Sequence, residues 1–86
     1  MEWMLARDWF HSASRLDAVD ARHVLMFQKK LYDDPDCTSR GLNFEALRGV
    51  QDRRVKSLRV DGSIRAIVWH DGPLGVLLYV AQHVPA

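Results

Sequence analysis

Two turn signals in the second half of the chain, Asp61-Gly62 and Asp71-Gly72-Pro73, constrain the fold more than any other feature. They separate three runs rich in valine, isoleucine, leucine and aromatic residues, at 55–60, 63–69 and 74–81. Asp-Gly between two such runs predicts a type I′ hairpin, in which both central residues adopt positive φ. Gly-Pro after Asp71 predicts a second reversal. Three strands joined by tight turns form an antiparallel meander. The run at 74–81 carries Leu74, Val76, Leu77, Leu78, Tyr79 and Val80 with no polar alternation, which predicts a strand inside the sheet.

The first half has a different period. Asp17 is suited to cap a helix, and Asp20 follows in its first turn. Ala21, Val24, Leu25, Phe27 and Leu31 then form a helical apolar stripe, somewhat broad. Lys29 and Lys30 lie where positive charge favours the carbonyl end of a helix. Asp33-Asp34-Pro35-Asp36 cannot continue it, so an end near Tyr32 is expected. Asp8-Trp9-Phe10-His11 suggests a shorter helix before it, and residues 2–6 an edge strand. Residues 33–41 read as a loop, followed by the apolar anchors Leu42, Phe44 and Leu47. Helices first and strands second point to an α+β fold, with N-terminal helices packed on a C-terminal antiparallel β-sheet in a single domain over residues 1–86.

Composition narrows the function. Apolar residues make up 48% of the 86, too many for a disordered chain. Cys37 is the single cysteine, so no internal disulfide forms, and a lone thiol suits a reducing, cytoplasmic setting. The apolar start Trp3-Met4-Leu5 is cut short by Arg7 and Asp8, unlike a signal peptide, and no stretch approaches the ~18 apolar residues of a membrane span. His11, His23, His70 and His83 form no ligand-spaced pair, and His23 reads as a core-edge or surface residue. With no second cysteine and no glycine-rich phosphate loop, neither a metal nor a cofactor is expected.

Charge is more informative. The net charge is +1, yet residues 48–65 hold Arg48, Arg53, Arg54, Lys56, Arg59 and Arg65 against only Asp52 and Asp61. Such a stretch is a candidate surface for a polyanion. A solvated strand surface with charges paired to Asp52 and Asp61 is the competing reading. An arginine on a strand and a histidine near a strand end are also what metal-free RNA cleavage uses. Arginine stabilises charge building on the phosphate, histidine moves the proton, and the 2′-OH attacks. Trp69 and Tyr79 read as sheet packing, with rings able to stack on bases.

The second half resembles a known family. Gly41-Leu42-Asn43-Phe44-Glu45-Ala46-Leu47-Arg48-Gly49, then Asp52-Arg53-Arg54-Val55-Lys56-Ser57-Leu58-Arg59-Val60, Ser63-Ile64-Arg65-Ala66-Ile67-Val68 and Leu77-Leu78-Tyr79-Val80-Ala81-Gln82-His83 are similar to the motif order of the RelE/ParE toxin superfamily. The lead-in looks like that of a subgroup associated with helicase-like proteins. The resemblance covers residues 41–83 and implies one or two helices on an antiparallel sheet. It implies the toxin of a type II toxin–antitoxin system, in the RelE branch an mRNA endonuclease acting on translating ribosomes. Partners would be a cognate antitoxin, RNA and the ribosome. Carried over by position, Arg65, His83 and Lys56 would be catalytic, and Arg48, Arg53, Arg54 and Arg59 would hold the nucleic-acid backbone. Ile64 stands where the family usually has tyrosine, and the family's C-terminal tail is absent, so a domain truncated at its C-terminus is one expectation. A catalytically inactive binding module and a ParE-like gyrase inhibitor remain the alternatives. The cluster Trp3, Met4, Trp9 and Phe10 is expected either to complete the core or to lie under the antitoxin.

Overall fold

A computed structural model describes residues 1–36, 45–47 and 49–82. The chain runs β1 (Glu2–Leu5), α1 (Arg7–Ala13), α2 (Ala18–Asp33), β2 (Glu45–Ala46), β3 (Val55–Arg59), β4 (Ile64–Asp71) and β5 (Leu74–Gln82). The strands form one sheet in the order β1-β5-β4-β3-β2. The meander expected from the two turns is present, and β5 lies inside the sheet between β1 and β4. The strand at residues 2–6 is an edge strand, as its position suggested, but it runs parallel to β5 and makes the sheet mixed. A parallel neighbour is possible because two helices and three strands intervene, giving the chain room to cross over.

The helix boundaries follow local chemistry. Asp17 accepts a hydrogen bond from the Asp20 backbone N–H at 2.8 Å, capping α2. The helix ends at Asp33, two residues before Pro35. Its buried face is Val24, Phe27 and Leu31. Leu25, expected in the stripe, is instead exposed, as are Met26 and Tyr32.

One face of the sheet carries the helices. Val24, Phe27 and Leu31 of α2 and Trp9 of α1 pack with Leu58, Ile64, Ala66, Val68, Leu77 and Val80. Trp9 is fully buried, and its indole N–H donates to Gln28 Oε1 at 3.0 Å, satisfying the one polar atom that burial would orphan. Trp9 therefore belongs to the core, while Phe10 and Met4 stay exposed. Leu77 and Val80 both reach the core although they are three residues apart. A bulge explains this: Ile67 pairs with Tyr79 but Val68 with Leu77, leaving Leu78 as the extra residue. Beside the bulge, the Val80 N–H donates to Ser12 Oγ at 2.8 Å, tying α1 to β5.

The turns divide differently from expectation. Gly72 has φ +57°, and Asp71 pairs with Leu74 across the two-residue loop Gly72-Pro73. Positive φ at the first central residue only is the type II′ pattern, since proline's ring holds φ negative. Gly62 has no positive φ, nor has any described non-glycine residue, so the type I′ turn expected at Asp61-Gly62 does not form. The Asp61 side chain takes over: its Oδ1 accepts the Ser63 N–H at 2.7 Å and the Ile64 N–H at 2.7 Å. This carboxylate-built turn satisfies the loop's donors without left-handed backbone.

Candidate nucleic-acid interface

Alternation along the strands decides what each face offers. Leu58, Ile64, Ala66 and Val68 point toward the helices, so Ser57, Arg59, Arg65, Ile67 and Trp69 point to the opposite face. On that face Arg59 of β3 lies directly across from Arg65 of β4. Like charges in opposed positions cost stability. Among the described residues no carboxylate lies within ion-pair distance of either. Ser57 and Ile67 on this face are buried, whereas Arg59 is exposed and Arg65 half-buried. Two guanidinium groups in opposed positions offer donors that an anion with more than one oxygen can engage.

The hairpin holds one of the two in place. Arg65 Nη1 donates to the Asp61 carbonyl at 2.7 Å and to the Ile64 carbonyl at 3.2 Å. Carbonyls orient the guanidinium without cancelling its charge. Asp61 in turn is braced by Ser63 and Ile64, and its Oδ2 meets His23 Nδ1 of α2 at 2.6 Å. Burial pushes the Asp61 carboxyl up, but the backbone and side-chain hydrogen bonds from Ser63, His23 and Ile64 outweigh it and hold the group below its ordinary value.

Tyr79 of β5 pairs with Ile67 on the same face and remains 43% exposed. Packing was its expected role. The bulge is what separates it from Leu77 and Val80, and a bulge leaves no mark in an apolar run. A partly exposed ring diagonal to an arginine offers a stacking surface for a base.

The other expected site residues do not gather here. Lys56 is opposite Val68, two residues before the fully buried Leu58, and so belongs to the helix-bearing face. The register separates it from Arg59 and Arg65. Arg53 is exposed in the turn before β3. Arg54 is engaged: its Nε and Nη2 donate to the two Asp52 carboxylate oxygens at 2.9 and 3.0 Å, Asp71 lies 3.8 Å away, and its guanidinium sits 5.3 Å from the Trp69 ring centre. The paired-charge reading thus describes Arg54, whereas Arg59 has no carboxylate partner among the described residues. Ile64, where the resembled family usually has tyrosine, is fully buried beneath the helices. Arg48, His83 and Cys37 lie outside the described residues, as do Leu42 and Phe44.

A second feature is apolar. Trp3, Leu5, Leu25, Leu31, Tyr32 and Leu77 line a groove of about 600 Å³ between β1 and α2. Trp3 closes over Gly75, and its indole N–H donates to the Pro35 carbonyl at 3.0 Å. No described helix is long and apolar enough to cross a membrane.

This arrangement of two helices on a mixed sheet is the RelE/ParE-like toxin fold. The chain is similar to RelE in the RelB-RelE antitoxin-toxin complex from Methanococcus jannaschii, with a TM-score of 0.70 at 9% identity over 92% of this chain and 88% of that one. It is similar to the Helicobacter pylori protein HP0894, with a TM-score of 0.68 at 10% identity over 96% and 94% of the two chains. It is also similar to the YoeB/ParE toxin from Agrobacterium tumefaciens, with a TM-score of 0.59 at 18% identity over 98% of this chain and all of that one. No family model matches the sequence, and no curated protein matches it.

Proposed function

We propose that this chain is the toxin of a toxin–antitoxin pair and that it acts on RNA, as an mRNA endonuclease at the ribosome, through the sheet face opposite the helices. The observation that carries the reading is the opposed pair Arg59 and Arg65, unneutralised among the described residues and beside the exposed Tyr79 ring. Phosphate between the two guanidinium groups would offset a repulsion that the fold otherwise tolerates at a cost. In this reading Arg65 stabilises charge on the scissile phosphate, Arg59 holds the backbone, Tyr79 stacks a base, and His83 after β5 supplies the proton transfer. Arg53, exposed before β3, would extend the positive surface, whereas Arg54 is offset by Asp52 and Asp71 and Arg48 lies outside the described residues. Lys56 has no place at this face and is left out of the catalytic set.

The antitoxin would cover the apolar groove beside β1. Similarity to a toxin solved with its antitoxin supports this, and so do the exposed Leu25 and Tyr32 of α2 in the groove wall.

The test is induced expression in bacteria, following growth and translation, with Arg59→Ala, Arg65→Ala and His83→Ala in parallel. Arrest of translation relieved by each substitution is the expected result. Growth arrest with DNA damage and intact messages, unchanged in all three variants, would favour gyrase inhibition. Normal growth in good yield of wild-type protein would favour an inactive binding module. In vitro, Arg59→Ala should lower affinity for single-stranded RNA and reduce the salt slope by about one.

A further inference from the structure

Away from the paired arginines, α2 and the β3–β4 hairpin bring together three groups that the toxin reading does not use as ligands. Asp20 and His23 are three residues apart on one face of α2. Asp61 comes from the hairpin loop, and one donor atom from each of the three lies within 4.8 Å of the others. We propose that Asp20, His23 and Asp61 form a binding site for a divalent transition-metal ion of the zinc class, clamping α2 to the hairpin.

Three observations support the assignment. First, Asp61 is pre-oriented. Its Oδ1 is committed to the Ser63 N–H, the Ser63 hydroxyl and the Ile64 N–H, which aims Oδ2 at α2. Bracing of this kind is what holds ligating carboxylates in working sites. Second, the cluster is short of positive charge. Among the described residues no lysine or arginine pairs with Asp20 or Asp61, and the nearby Arg65 binds the Asp61 carbonyl, not its carboxylate. Two carboxylates beside one imidazole repel each other unless a cation, a metal ion or the protonated ring, sits among them. Third, the site is reachable yet partly enclosed, with His23 43% and Asp61 21% exposed in their side chains.

The donor set selects the ion. Magnesium and calcium prefer shells made only of oxygen. One imidazole nitrogen with two carboxylates suits zinc, cobalt or nickel, with water completing the shell. Binding replaces the His23–Asp61 hydrogen bond with two metal bonds. The ion then stiffens the loop whose carbonyls orient Arg65.

The experiment uses the purified full chain, stripped of metal, with Cys37→Ser as the background to remove the thiol as a competing ligand. Co²⁺ is titrated by visible absorption and Zn²⁺ by calorimetry, with thermal unfolding followed in parallel. One equivalent per chain and a raised Tm are expected. Asp20→Asn and His23→Gln should each weaken binding at least about tenfold, the lower bound for losing even an outer partner of a metal site. Both leave the Ser63 and Ile64 hydrogen bonds to Asp61 in place, and circular dichroism checks that they fold. His11→Gln should change nothing. Absence of saturable binding by the parent chain would overturn the proposal and leave His23–Asp61 a simple ion pair. Binding that survives both substitutions would overturn it too, by placing the ion on other ligands. Neither result bears on RNA cleavage, which is read separately.

Discussion

Replacing Gly75 with alanine tests how tightly β1 is locked onto the sheet. Gly75 is buried in β5 directly beside Trp3, and its φ is not positive, so an alanine backbone fits without strain. Space is the problem. A Cβ there would lie 2.5 Å from Trp3 Cζ3 and 2.6 Å from Cε3, whereas carbon atoms settle about 3.5–4.0 Å apart. The indole must slide by roughly 1 Å, and it is tethered by the hydrogen bond to Pro35. Overpacking of this kind costs about 1–3 kcal/mol. For a domain of this size that lowers Tm by roughly 5–15 °C. The assay is thermal unfolding of Gly75→Ala in two backgrounds, wild type and Trp3→Ala. With the ring gone, Gly75→Ala should be neutral or slightly stabilising, because alanine restricts the unfolded chain more than glycine does. A coupling of about 1 kcal/mol or more between the two sites is therefore expected. Equal penalties in both backgrounds would refute the account, since the clash would then not be with Trp3.

Two further perturbations probe other joints of the fold. Ser12→Ala leaves the Val80 N–H without its acceptor and should cost about 1–3 kcal/mol by denaturant titration; retention of full stability would mean another acceptor replaces Oγ. Asp52 is held below its ordinary value of 3.8 chiefly by the Arg54 side chain and then by the Arg54 backbone N–H. A depressed carboxylate contributes stability above its unfolded pKa and loses it as pH falls through the folded one. The small stability gap between wild type and Asp52→Asn should thus be constant from about pH 7 to pH 5 and close below about pH 4; a gap that persists at pH 2 would contradict the pairing.

Much of the architecture was legible in the residues because it rests on local chemistry. Asp17 caps α2 and the Asp33–Asp36 stretch ends it, since both effects act within a few residues. The three-strand meander follows from apolar runs separated by turn residues, and Arg65 was singled out from its place on the second run. Other features depend on atoms distant in sequence. The Asp61-Gly62 hairpin was read as type I′ from its residue pair, but the aspartate's own carboxylate competes for the loop's N–H groups, and His23 of α2 braces it. Face assignment is a matter of register. Lys56 and Arg65 both lie in the basic stretch, yet strand alternation puts one under the helices and the other opposite them. Tyr79 reaches the face opposite the helices only because Leu78 bulges. The grouping of Asp20, His23 and Asp61 joins residues on separate elements, where spacing along the chain carries no information. Sequence alone determined the two helices, the first strand and the three strands of the meander, because propensity, caps and apolar period are short-range; the two-residue β2, which exists only through its pairing with β3, was not legible. Tertiary structure decided which charges meet, because that depends on register, bulge and packing, each a long-range property of the assembled sheet.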